Sequence, residues 1–71
     1  MPHSYTGNVR VHPEDRTLLE VSHVTIVNRP DGKRVSYPVS TTVPRDSSCR
    51  VIADAFGEVA RLSILAAMEN G

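Results

Sequence analysis

The residues of this chain best suited to chemistry lie in the run RDSSCR, Arg45 to Arg50. A thiol near a helix N-terminus and between two arginines gains thiolate character, which is what a nucleophile needs. No histidine or acid is placed by local spacing to assist Cys49, and a lone cysteine early in a helix is commonly a small packing residue, so no catalytic residue is assigned. His3, His12 and His23 share no metal-ligand spacing, and a single cysteine offers no set of thiolates, so neither a metal nor a cofactor is expected. No glycine-rich loop follows a strand in the manner of a phosphate cradle. The remaining group is basic: Arg29, Lys33 and Arg34, tempered by Asp31 and with Tyr37 as the nearby aromatic. Tyr37 is expected to face inward, which removes a base-stacking platform and argues against direct nucleic-acid binding.

Composition narrows the classes further. Seventy-one residues make one small domain, spanning 1–71, whose single core supplies little net stability, so burial against a partner matters. Eight Lys plus Arg balance eight Asp plus Glu, and the whole-protein field therefore attracts neither phosphate backbones nor anionic membranes. Cys49 alone forms no internal disulfide and suits a reducing compartment. The first residues, MPHSYTGN, lack the basic start and apolar run of a signal peptide, and the apolar run from Ile64 to Met68 is too short to cross a bilayer. A cytoplasmic protein is expected.

The elements that position these residues follow from periodicity. Residues 1 to 6 are expected to be loose, and NVRVH, Asn8 to His12, alternates as a short half-buried strand should. Two β-branched runs, Thr17 to Val27 and Val35 to Val43, flank NRPDGKR, in which Pro30 and Asp31 suit a type I turn and Gly32 the left-handed residue of a three-residue hairpin loop. Setting Arg29 opposite Lys33 pairs Val27 with Val35, Thr25 with Tyr37, His23 with Val39, Val21 with Thr41 and Leu19 with Val43, all on one face. Pro38 lacks an amide hydrogen and makes the 35–43 strand an edge, giving the order 1-2-3. After Pro44, any of Asp46, Ser47 and Ser48 suits a helix N-cap. Helical spacing then puts Ile52, Ala55, Phe56, Val59, Leu62, Ser63 and Ala66 on one stripe, packed against Val21, Val35, Tyr37 and Val39. The fold class is α+β: a three-stranded antiparallel meander packed on one C-terminal helix.

Two surfaces do not fit a solvated monomer. Val24 and Ile26 lie on the otherwise polar face of the sheet. On the helix, Ala53, Gly57 and Ala60 form a small-residue strip leading to Ile64, Leu65 and Met68. An interior glycine costs up to roughly 1 kcal/mol relative to alanine in a helix, so Gly57 suggests close approach by another backbone. These eight residues are the candidate protein interface, with the strip allowing a two-fold homodimer of antiparallel helices, and Arg29, Lys33 and Arg34 are a secondary hairpin contact.

In size and layout, from the NRPDGKR hairpin to the helix begun at RDSSCR, the chain resembles small phage-encoded anti-CRISPR proteins. The resemblance implies a phage or mobile-element inhibitor that occupies a surface of a larger host defence complex, a nucleoprotein, and blocks access or a conformational change. The residues themselves imply a non-enzymatic protein-binding module. Two alternatives are a small dimeric regulatory protein that binds nucleic acid and an enzyme accessory with a reactive Cys49.

Overall fold

A computed structural model of the chain describes residues 3 to 70; positions 1, 2 and 71 and the side chain of His3 lie outside the described residues. Strands β1 (His3–Val11), β2 (Leu18–Asn28) and β3 (Arg34–Pro44) form one antiparallel sheet in the order β1-β2-β3, and helix α1 (Cys49–Asn70) follows. This is the α+β meander expected from the sequence.

The hairpin between β2 and β3 forms as its turn chemistry requires. Gly32 has φ +86°, its amide donates to the Arg29 carbonyl (3.0 Å), and the Arg29 amide donates to the Lys33 carbonyl (2.8 Å). Asp31 Oδ1 accepts the Lys33 amide at 3.0 Å. The register is the one derived above: Val27 with Val35, Thr25 with Tyr37, His23 with Val39, Val21 with Thr41 and Leu19 with Val43. Gly32→Ala should therefore destabilise the chain by roughly 1 kcal/mol or more in a urea titration. A Cβ on Gly32 meets no atom within 4 Å, so the cost is conformational, and Gly32→Asn should lose less than Gly32→Ala.

The first strand begins earlier than expected. Residues 3 to 6 belong to β1 rather than to a loose segment, and Tyr5, Gly7, Val9 and Val11 pair with Thr25, His23, Val21 and Leu19. The β1–β2 turn is held locally: His12 Nδ1 accepts the amides of Glu14 (3.1 Å) and Asp15 (3.2 Å), and Asp15 Oδ1 accepts the Thr17 hydroxyl (2.6 Å) and amide (2.9 Å). Those Thr17 bonds hold the Asp15 carboxyl below the usual carboxylate range. Their contribution is present above that range and fades as pH falls through the lowered value.

The helix selects Ser48 as its cap: Ser48 Oγ accepts the Val51 amide (3.3 Å), and the Ser48 carbonyl takes the Ile52 amide (3.1 Å). Ser47 instead closes a turn onto the Pro44 carbonyl. Val59, Ser63 and Ala67, spaced four apart, form the buried line of α1 and lie over Val21, His23, Thr25 and Val27, the alternate residues of β2 that are also buried. Ser63 joins all three elements of this core. Its hydroxyl donates to the Tyr37 carbonyl (2.5 Å) and accepts from Thr25 Oγ1 (2.8 Å).

Leu62 departs from the expected stripe: it is 42% exposed. It sits one residue, about 100°, away from the buried line of Val59, Ser63 and Ala67. Phe56 has two neighbours beyond those expected of the stripe: its ring lies over Gly7 of β1 and edge-on to His23, 6.3 Å between centroids.

Candidate protein interface

The sheet has one covered face and one open face. Residues of odd number in β2 turn toward α1, while Val24 and Ile26 point the other way, where no helix lies. Both are half-buried rather than exposed, because Thr6 and Pro38 flank Val24 and Ser4 and Ser36 flank Ile26. The same outer face carries the Arg10–Glu20 ion pair at 2.9 Å. Its character is that of a mostly polar surface with a sheltered apolar centre.

On the helix, the six residues assigned to one contact strip divide between two flanks. Ala53, Gly57, Ala60 and Ile64 follow one line along α1; Ala53 and Gly57 are exposed, Ala60 and Ile64 half-buried. Met68 continues near this line and is the most exposed large apolar residue, at 71%. Leu65 lies about 100° round the axis from Ile64 and joins Val51 and Leu62 on the other flank, all three more than 40% exposed. A Cβ on Gly57 would meet nothing within 4 Å, so among the described residues no backbone outside the helix approaches it. Both flanks of the helix thus present apolar surface, one small and flat, the other branched.

A third apolar surface lies on β1. The helix axis lies over β2 and β3 and reaches β1 through the Phe56 ring over Gly7, which leaves Tyr5, Val9 and Val11 of β1 57%, 42% and 40% exposed on the helix side of the sheet. Within this region His23 is buried between the Tyr5 and Phe56 rings, and its Nδ1 has no hydrogen-bond partner among the described residues. The alternation of Tyr5, Val9 and Val11 was the available clue, but Gly7 interrupts it.

The residues considered for chemistry stay apart. Cys49 is exposed at the first helical position, and among the described residues no group of three or more His, Cys, Asp or Glu lies close enough to hold a metal ion. Two open depressions, of about 310 and 590 Å³, both run beside Arg16 and Arg45. Arg45 serves there as a tie, its amide donating to the Thr17 carbonyl (2.8 Å) and its guanidinium to the Arg16 carbonyl (3.5 Å). In the hairpin, Arg29 Nη2 donates to the Asn70 carbonyl (3.2 Å) at the C-terminal end of α1, where a cation complements the helix dipole. All three basic residues are exposed, and Arg29 is in addition engaged with the helix end. Among the described residues, no helix is long and apolar enough to cross a membrane. No family model, curated protein or solved structure matches this chain.

Proposed function

We propose that this chain is a non-enzymatic protein-binding module, an inhibitor of the anti-CRISPR kind that occupies a surface of a larger host nucleoprotein complex. The observation that carries the reading is the helix: Val51, Leu62, Leu65 and Met68 are each more than 40% exposed, although a chain this short has few large apolar side chains to leave outside its core. Isolated exposed apolar residues are ordinary; several along one helix are the pattern of a helix that docks. Arg29 is tied to the helix end, so the basic hairpin contributes less to this contact than the helix does. The cytoplasm is the compartment in which such a target would be met.

The test is inhibition of purified CRISPR effector complexes of several types, read as loss of target-DNA binding or cleavage when the protein is added. A stoichiometric block of one complex is expected. Leu65→Asp and Met68→Asp, one on each flank, should weaken it at least tenfold while melting temperature changes little, since both side chains are exposed. Arg29→Ala should change it less. Inhibition that fades steeply with added salt, with duplex DNA alone retained by the protein, would replace this reading with nucleic-acid binding. Failure to bind any effector complex would remove the anti-CRISPR assignment.

A further inference from the structure

The two edges of the sheet are not equivalent. The His12 amide donates to Leu18 across β1 and β2, and the Arg29 amide donates to Lys33 across β2 and β3. Hydrogen-bonding residues alternate along an antiparallel ladder, so the even-numbered residues of β1 turn their backbone groups to β2, and the odd-numbered residues of β3 do the same. Outward-facing backbone groups therefore belong to even positions on β3 and odd positions on β1. Pro38 and Pro44 both fall on the outward set of β3 and remove donors from that edge. The β1 edge has no such guard: it is nine residues long, has no proline or lysine, and its one charge, Arg10, is paired with Glu20 on the outer face.

We infer that β1 pairs antiparallel with β1 of a second copy, about a two-fold axis at Gly7, to give a continuous six-stranded sheet. This register overlaps all nine residues of the strand, pairs Val11 with His3 along the backbone, and sets Gly7 against Gly7 and Val9 against Tyr5 on the helix side. Thr6 meets Asn8 and Ser4 meets Arg10 on the other side, so no like charges oppose each other. The side chains that the partner would cover are those left bare by the offset helix, Tyr5, Val9 and Val11.

Phe56 supplies a second reason for this occupant. Its ring lies over Gly7 and is only half-buried. Two Gly7 residues paired across the axis have Cα atoms about 5.5 Å apart, which brings the two Phe56 rings into the range of an aromatic pair. The shape of the protomer agrees. Its accessible surface of 4910 Å² exceeds by about 500 Å² the value usual for a 7.8 kDa monomer, and its 13.6 Å radius of gyration exceeds the roughly 11 Å usual for this length. That excess is a large part of the roughly 800 Å² each partner buries in a standard stable interface. The inference concerns the chain alone and stands or falls independently of any host target.

Sedimentation at about 1 to 100 μM reads the first part: the wild type should reach twice the 7.8 kDa mass of one chain, and a protein that stays monomeric at the upper concentration overturns the inference. Val9→Pro gives β1 the guard that β3 already has, removing an outward donor while leaving the β1–β2 ladder intact. It should dissociate at least tenfold more readily with its circular dichroism unchanged. Val9→Lys provides a second variant that keeps the amide and places a charge in the interface. The register is read separately in a Cys49→Ser background, by mixing Thr6→Cys and Asn8→Cys chains; their Cα atoms should lie within disulfide range, and oxidation should give the mixed dimer in preference to either self-pair. A dimer that survives both Val9 changes, fails to cross-link and is broken by Gly57→Glu would place the contact on the helices and overturn β1 pairing.

Discussion

Gly7→Ala should destabilise the domain by about 2 to 3 kcal/mol, even though alanine is ordinarily the better strand residue. A Cβ on Gly7 would lie 2.7 Å from Phe56 Cε2 and nearer still to Cζ, distances at which the ring or the strand must move. The ring cannot turn freely, because His23 stands edge-on to it beneath the helix. The decisive comparison is the same substitution in a Phe56→Ala background. With the ring gone, Gly7→Ala should be neutral or stabilising by up to about 1 kcal/mol, so the pair should show a coupling of about 2 kcal/mol or more. Urea unfolding of the four proteins at one fixed chain concentration measures it. Equal costs in the two backgrounds would show that Gly7 is required for its own backbone and not for the ring above it.

Phe56→Ala alone should cost about 3 kcal/mol, near the lower end of the range for phenylalanine truncation because the ring is half-buried. The loss is large for a chain whose core consists mainly of Val21, Val27, Val59 and Ala67. Removing the ring also uncovers Gly7 and one side of His23, a buried imidazole whose Nδ1 has no hydrogen-bond partner among the described residues. A midpoint of thermal unfolding several degrees lower is expected, with the hairpin register unchanged. A variant that melts as the wild type does would mean that the helix holds to the sheet through Ser63, Val59 and Ala67 alone.

Phe56 was legible in the sequence as a core residue, but its partner was not. The hairpin and its register could be read because two independent signals, the turn residues at Pro30 to Gly32 and the alternation of β2 and β3, agree on one pairing. The buried helix line could be read at Val59 and Ser63. Leu62 could not, since its place depends on how far α1 is rotated about its axis, and helical spacing sets relative angles, not the angle to the sheet. The strand from His3 escaped because Gly7 has no side chain to continue the alternation, so the pattern seemed to begin at Asn8. The exposed side of β1 was out of reach for a different reason. Which strands one helix covers depends on where it lands, and here it lands on β2 and β3.

Pro38 has a consequence beyond marking an edge. A strand that pairs with its own copy can begin either a closed pair or a growing fibril, and the outcome depends on the edges left over. Joining two chains through β1 consumes both unguarded edges at once and leaves β3 on each outer margin, where Pro38 and Pro44 interrupt the row of outward donors. In such a dimer the remaining edges would be poorer templates, and growth beyond two chains would be disfavoured.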